Sequence, residues 1–271
     1  VLGLLVGGAL AVAGATYQGV FRNPLADPFL LGIAAGAGLG ATIAIVVIGG
    51  GVANPSVTPV FAFAGALLAV GATWLVAGRA SSGPATLILA GVAVAAFLGA
   101  GQTMLQQSSN PAITTVYRWL LGSLASATWS SDRSILPYVA VSAVVCLGCA
   151  RLLDVLSVGE LESASLGLPV GVVRAVAIGA ASLGAAAAVA AAGLIGFVGI
   201  IVPHAVRLLT GVSYRRILPL SLLGGGGFLV LADVVARTAL PDQEVPIGVV
   251  TAAIGVPFFV LALHVRRLRL R

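Results

Sequence analysis

Side chains able to do chemistry are few in this chain and gather in a handful of places. Three of its eight acids, Asp154, Glu160 and Glu162, crowd into Leu152–Gly171, LLDVLSVGELESASLGLPVG. Asp233 and Arg237 stand four apart, the spacing of neighbours on one helix face. They form either a pair that closes a helix on itself or, through the arginine, an anchor for an acidic partner. Gln102 and Gln106 share a helix face, with Thr103 beside them and Gln107, Ser108, Ser109 and Asn110 following. Such side chains in an apolar setting line a path for a polar ligand, or else mark the end of a helix. His204 invites a metal or proton site, but no second histidine stands at ligand spacing, and it reads as a hydrogen-bonded structural histidine at a helix end. Cys146 and Cys149 form a C-x-x-C inside the apolar run AVSAVVCLGCA. With no other ligand-type residue nearby they read as packing residues, not as redox or metal groups.

Several chemistries are excluded. All fourteen positive charges are arginine, and without lysine there is no G-x-x-x-x-G-K-[ST] loop to cradle a nucleotide. There is no H-E-x-x-H, no nucleophile elbow and no cluster of intramembrane carboxylates for a proton relay. No catalytic residue, metal site or cofactor is expected on this chain. Any energy for transport must come from a partner or from a gradient.

The elements that position these groups are apolar. Of 271 residues, 59% are hydrophobic and 8% charged, where a soluble domain carries about a quarter charged. The composition gives an all-α polytopic membrane protein, with 36 glycines for close helix packing. Runs of spanning length fall near 1–19, 30–50, 57–78, 85–106, 134–150, 172–192, 217–236 and 246–264, with a shorter one at 195–209 broken by Pro203 and His204. Gly193, Gly196 and Gly199 are read as a tight return before it. Counting that run gives nine crossings. If the first connection is cytoplasmic, eleven arginines (22, 79, 151, 174, 207, 215, 216, 266, 267, 269, 271) lie inside and three (118, 133, 237) outside, the asymmetry of the positive-inside rule. The Leu152–Gly171 stretch and the RRLRLR tail then lie in the cytoplasm. Four crossings precede 134–150 and four follow Leu152–Gly171, an inverted layout used by many transporters. Val1 begins within an apolar run, so one further helix is expected before it.

Within Leu152–Gly171, Ser157 and Glu160 read as a capping box, Gly167 as a left-handed stop and Pro169 as a block to continuation. Two short helices there form either a shaped knob or a loop lying on headgroups. In QGVFRNPLADPFLLGIAAGAGLG (18–40), Asn23-Pro24 and Asp27-Pro28 each begin a turn. Gly32, Gly36 and Gly40 give one flat helical face. Tyr117, Arg118, Trp119 and Trp129 read as a short interfacial helix region.

The stretches GATYQGVFRNPLADPFLLGIAAGAG (14–38), WLLGSL (119–124), SVGELESASLGLPVGVVRA (157–175), GLIGFVGIIVPHAVRLLTG (193–211), LADVVAR (231–237) and EVPIGVVTAAIGVPFF (244–259) together resemble the FecCD-type permeases, the membrane subunits of ABC importers for iron–siderophore complexes, haem and vitamin B12. The resemblance implies a single domain over 1–271. It would be a ten-helix type II ABC importer transmembrane domain, with nine helices visible here and the first missing. It implies a homodimer in the bacterial cytoplasmic membrane with its C-terminus in the cytoplasm. Two cytoplasmic ATPase subunits would hold ATP and Mg, an extracytoplasmic binding protein would deliver the cargo, and no nucleic acid would be bound. It assigns 152–168 to the coupling helices, with Leu156, Gly159, Glu160, Ala164, Leu166 and Gly167 touching the ATPase. Arg237 would dock the binding protein. The expected cargo is an iron complex, with vitamin B12 as the alternative. A gradient-driven secondary transporter competes and would need an embedded carboxylate, for which only Asp233 is available. An intramembrane enzyme would need a paired nucleophile and base, and none is found.

Overall fold

The computed structural model describes residues 1–49, 56–78, 83–107, 112–125, 127–240 and 243–268, with side chains described as far as Phe258 and at Val260. Arg79, Ser108, Ser109, Asn110, Asp242, Arg269 and Arg271 lie outside the described residues, as do the side chains of His264, Arg266 and Arg267. Among the described residues the chain is all helical. It comprises α1 (Leu2–Val20), a 3-10 turn (Pro28–Leu31), α2 (Ile33–Val46), α3 (Val57–Ala77), α4 (Pro84–Gln107) and α5 (Ile113–Leu120). There follow α6 (Trp129–Gly148), α7 (Ala150–Leu156), α8 (Glu160–Ser165), α9 (Val170–Ala192), α10 (Val198–Thr210), α11 (Tyr214–Thr238) and α12 (Ile247–Leu268). Helices α1, α3, α4, α9 and α11 are long and apolar enough to cross a bilayer, and α6 with α7, bent by 50°, makes a sixth. The other three runs expected to cross form shorter apolar helices, α2, α10 and Ile247–Phe258 of α12, so among the described residues five or six helices reach spanning length where nine crossings were expected. The chain is a multi-pass membrane protein.

Helix α1 is the axis of the bundle. Nearly every residue of it is buried, as for a helix that is apolar all round. It packs on α11, α9, α10 and α6. Lipid tails are as apolar as the helix faces, so close van der Waals contact between small residues, not the hydrophobic effect, holds such helices together. The contacts show how. A Cβ at Gly7 would lie 2.1 Å from the Gly225 carbonyl oxygen, and one at Gly225 would lie 2.3 Å from the Gly7 oxygen. Gly3 faces Val230 and Gly19 faces Tyr214, so α1 and α11 run antiparallel. Helices α2, α3 and α4 form a second layer. There Gly36 and Gly40 meet the backbones of Gly65 and Phe61. Gly32, the third glycine of that row, lies where a Cβ would make ordinary contact with Ala69 of α3, and at φ +82° it is also the left-handed joint between the 3-10 turn and α2.

The structure departs from the sequence expectations at three places. Pro203 lies inside α10, and the break instead falls before it, where Gly193 and Phe197 take positive φ. A proline lacks the N–H that would bond the carbonyl four residues back, here Gly199. That carbonyl accepts instead from Gln18 Nε2 at 3.1 Å, so the helix continues through the proline. Gly196 takes no positive φ and nothing approaches its Cβ position, so the turn does not require it. Ser157 and Glu160 also form no capping box: Gly159 is the N-cap of α8, without a side-chain cap bond. The Ser157 hydroxyl donates back to the Asp154 carbonyl at 2.6 Å, a local bond that competes with capping. Gly167 does take the left-handed conformation, φ +82°, just past α8.

Helix α4 buries only the stripe Leu87, Ala90, Gly91 and Val94. Its other face exposes Leu89, Val92, Phe97 and Met104.

Candidate coupling knob and the ends of α11

The α7–α8 segment is a folded knob and not a strand of loop. Leu153 and Leu156 point into the core. The buried Ser163 hydroxyl donates to the carbonyls of Val155 and Gly159, tying α8 back onto α7. Glu160 turns inward to the guanidinium of Arg174 on α9. Arg174 is 2% exposed and Glu160 33%, so the pair fastens the knob to the bundle from beneath. Of the residues assigned to ATPase contact, Leu156 and Gly159 are buried and serve the knob's own packing, and Glu160 is half-buried. Ala164, Leu166 and Gly167 are exposed. Sequence reasoning omitted Val158 and Leu161, which with Leu166 are the knob's exposed large apolar side chains. Protruding apolar side chains on a tightly tied, short helix pair are what a docking surface requires.

Asp154 leaves the knob sideways. Its Oδ1 accepts the Tyr214 backbone N–H at 2.6 Å and its Oδ2 accepts the Ser213 hydroxyl at 2.9 Å. Both donors stand at the start of α11, which Ser213 does not cap with its own side chain. Next to this junction Arg207 donates to Gln18 Oε1 at 3.0 Å and lies over the Tyr214 ring, 6.0 Å from its centroid. One end of the bundle therefore gathers α7, α8, the last turn of α1, the end of α10 and the start of α11.

The other end of α11 carries Arg237. Its Nε donates to Asp233 Oδ2 at 2.9 Å, and Nη1 lies 3.7 Å from Glu244 Oε1. The Val245 N–H donates to the Ala236 carbonyl at 3.0 Å, which folds the following loop back beside the pair. Arg237 is 41% exposed, so it is held in place and still open to a partner. Asp233 was legible by its spacing. Glu244, reached through the loop, was not.

The remaining candidates do not converge. Gln102 Oε1 lies 2.7 Å from where a Cβ of Gly38 would be, so this side chain lies against α2. Thr103 is exposed and donates to the Gly99 carbonyl at 3.0 Å. Gln106 is half-buried. Asn23 Oδ1 accepts the Leu25 N–H and Asp27 Oδ1 the Phe29 N–H, at 3.0 and 2.7 Å, each making an Asx turn, the second around the buried Pro28. Pro24 lies within the first turn, half-buried. Burial pushes the Asp27 carboxyl up to about 6, against the opposing effect of the Phe29 bond. Cys146 and Cys149 are buried free thiols, and His204 stacks edge-on to Phe258 with centroids 5.8 Å apart. Among the described residues no cluster of three His, Cys, Asp or Glu is placed to hold a metal ion.

A profile of the FecCD transport family matches residues 1–265. The chain is 45% identical to the "Cobalamin import system permease protein BtuC" of Halobacterium salinarum, over 99% of this chain and 72% of that protein. It is 38% identical to the "Vitamin B12 import system permease protein BtuC" of Escherichia coli O9:H4, over 97% of this chain and 81% of that protein. A solved structure described as an inward-facing conformation of a putative metal-chelate type ABC transporter superposes with a TM-score of 0.89 at 30% identity, over 97% of this chain and 83% of that one.

Proposed function

The chain belongs to the FecCD transport family, and from that premise we propose that it moves a cobalamin inward across the cytoplasmic membrane. It is an ABC importer permease, a transport component; ATP hydrolysis belongs to separate ATPase subunits. The observation that carries the cargo is the likeness, at 45% and 38% identity, to two permeases named for cobalamin and vitamin B12. It outweighs the general association of the family with iron complexes on which the sequence expectation rested.

Two copies of the chain enclose the path between them, with the exposed apolar faces of α4 and α12 available for that contact. The knob end faces the cytoplasm, an orientation supported by the arginine distribution. There Val158, Leu161, Ala164, Leu166 and Gly167 meet an ATPase subunit. At the far end Arg237 meets an acidic side chain of a cargo-loaded binding protein. ATP closes the ATPase dimer, the knobs move with it, and the helices exchange an outward-open for an inward-open arrangement. The bundle offers mostly Ala, Gly, Val and Leu to the cargo, so selectivity rests with the binding protein.

The test reconstitutes the chain with its ATPase and binding protein in liposomes and offers cobalamin, a ferric siderophore and haem in turn. Cobalamin-loaded binding protein is expected to stimulate ATP hydrolysis. Stimulation by a ferric siderophore or haem alone would overturn the cargo assignment and leave the importer reading standing.

A further inference from the structure

We propose that Asp154 is a positioning residue for energy coupling: its carboxylate clamps the knob to the start of α11, and α11 carries the knob's displacement to the Arg237 end. The inference rests on the importer reading above.

The geometry is that of a tie between elements and not of a helix cap. The N-terminal N–H groups of a helix need acceptors, and the residue at the cap position commonly supplies one. Ser213 occupies that position on α11 but makes no such bond. Its hydroxyl is turned outward to Asp154, and the same carboxylate takes the Tyr214 N–H. Both oxygens of one side chain on α7 are thus committed to the first turn of another helix, 59 and 60 residues away. The bonds are charge-assisted and sit where the helix dipole favours an anion. The tie meets α11 beside further contacts: the Tyr214 ring lies against Gly19 of α1 and under Arg207, which itself holds Gln18.

From that point α11 runs 25 residues as one helix, with Pro219 in its second turn, about 37 Å at 1.5 Å per residue. The close Gly7–Gly225 crossing holds α11 against α1. Packed helices of this kind shift as bodies and do not deform continuously. At the far end the same helix carries Asp233 and Arg237, with Glu244 drawn alongside. The knob reaches α9 by a second route, Glu160 to Arg174, but α9 carries no charged group at its far end. Among the described residues Asp154 therefore makes the side-chain hydrogen bonds that join the knob to the helix bearing the docking arginine.

The test uses linkage. If two sites are coupled, nucleotide on the ATPase changes the affinity of the binding protein, and the size of the change measures the coupling. The affinity of the loaded binding protein for the assembled transporter is measured with and without a non-hydrolysable ATP analogue, for the wild type, Asp154→Ala and Asp154→Asn. The ratio of the two affinities is expected to fall about tenfold toward one in Asp154→Ala. It is expected to return to near the wild-type value in Asp154→Asn, whose amide accepts from Tyr214 and donates to Ser213. A merely structural role would lower yield and leave the ratio unmoved. If Asp154→Ala fails to assemble, Ser213→Ala removes one of the two bonds and is expected to reduce the ratio two- to threefold. A wild-type ratio in Asp154→Ala, or in Ser213→Ala where that variant stands in, overturns the proposal. A wild-type transporter in which ATP has no effect on uptake overturns the importer reading itself, and with it this inference.

Discussion

Removing the Glu160 carboxylate perturbs the best-buried ion pair in the described structure. Arg174 is 2% exposed and reaches Glu160 from one turn inside α9. Cutting one partner out of a fully buried pair costs about 3–5 kcal/mol, because a charge stays behind in a poor medium. Glu160 is 33% exposed, so water already screens part of the interaction, and Glu160→Ala is expected to cost about 1–3 kcal/mol. Arg174→Met leaves behind only a carboxylate that can rotate to solvent and should cost less than Glu160→Ala. The double variant removes both members of the pair, so the two effects are expected to fall short of additivity by about 1–2 kcal/mol. The assay is unfolding of the purified chain by SDS in mixed micelles, read by circular dichroism for all four corners of the cycle. Glu160→Arg, which opposes like charges at 160 and 174, is expected to be worse than Glu160→Ala. Unfolding of Glu160→Ala at the wild-type midpoint, or a cycle that closes additively, would show that the pair does not fasten the knob.

Three further outcomes follow from the same structure. Gln18→Leu takes an acceptor from Arg207 and a donor from the carbonyl freed by Pro203, and should cost about 1–3 kcal/mol in the same assay. Adding Pro203→Ala restores the N–H that Gly199 lacks and is expected to recover part of that loss. Gly225→Ala places a Cβ 2.3 Å from the Gly7 oxygen, which forces α1 and α11 apart; a clear drop in thermal midpoint in detergent is expected, whereas Gly227→Ala, with nothing near its Cβ position, should lose little. Asp27 has its carboxyl raised from 3.8 to about 6, so its stabilising contribution is full below pH 4 and fades as pH rises through 6. Asp27→Asn keeps an acceptor for Phe29 and is expected to be more stable than the wild type at pH 8, by up to about 3 kcal/mol, and no more stable at pH 4. A constant difference between the two across that range would contradict the assignment.

The crossings were legible because each is an apolar run bounded by glycine, proline or arginine, and such runs declare themselves by length. The turns at Asn23-Pro24 and Asp27-Pro28 were legible for a local reason: side chain and acceptor lie two residues apart. The knob's existence was legible, but not its fastening. Arg174 lies 14 residues from Glu160, and Ser213 lies 59 from Asp154, and no spacing rule marks such pairs. The capping-box signal misled because Ser157 found a nearer acceptor in the Asp154 carbonyl. Pro203 misled because its cost depends on whether the abandoned carbonyl has another donor. That donor, Gln18, stands on a helix 181 residues earlier. Leu156 lies in an exposed-looking stretch of sequence, yet the bend between α6 and α7 turns it into the core.

As an ABC importer permease, this chain depends on ATP hydrolysis by a partner. The most direct measurement is uptake of radiolabelled cobalamin into liposomes containing the chain and its ATPase, with loaded binding protein outside and ATP trapped inside. Accumulation is expected to need ATP and to be indifferent to ionophores that collapse proton and sodium gradients. Accumulation that persists without ATP and disappears with those ionophores would contradict that dependence, and would return the knob to the standing of a loop on the membrane surface.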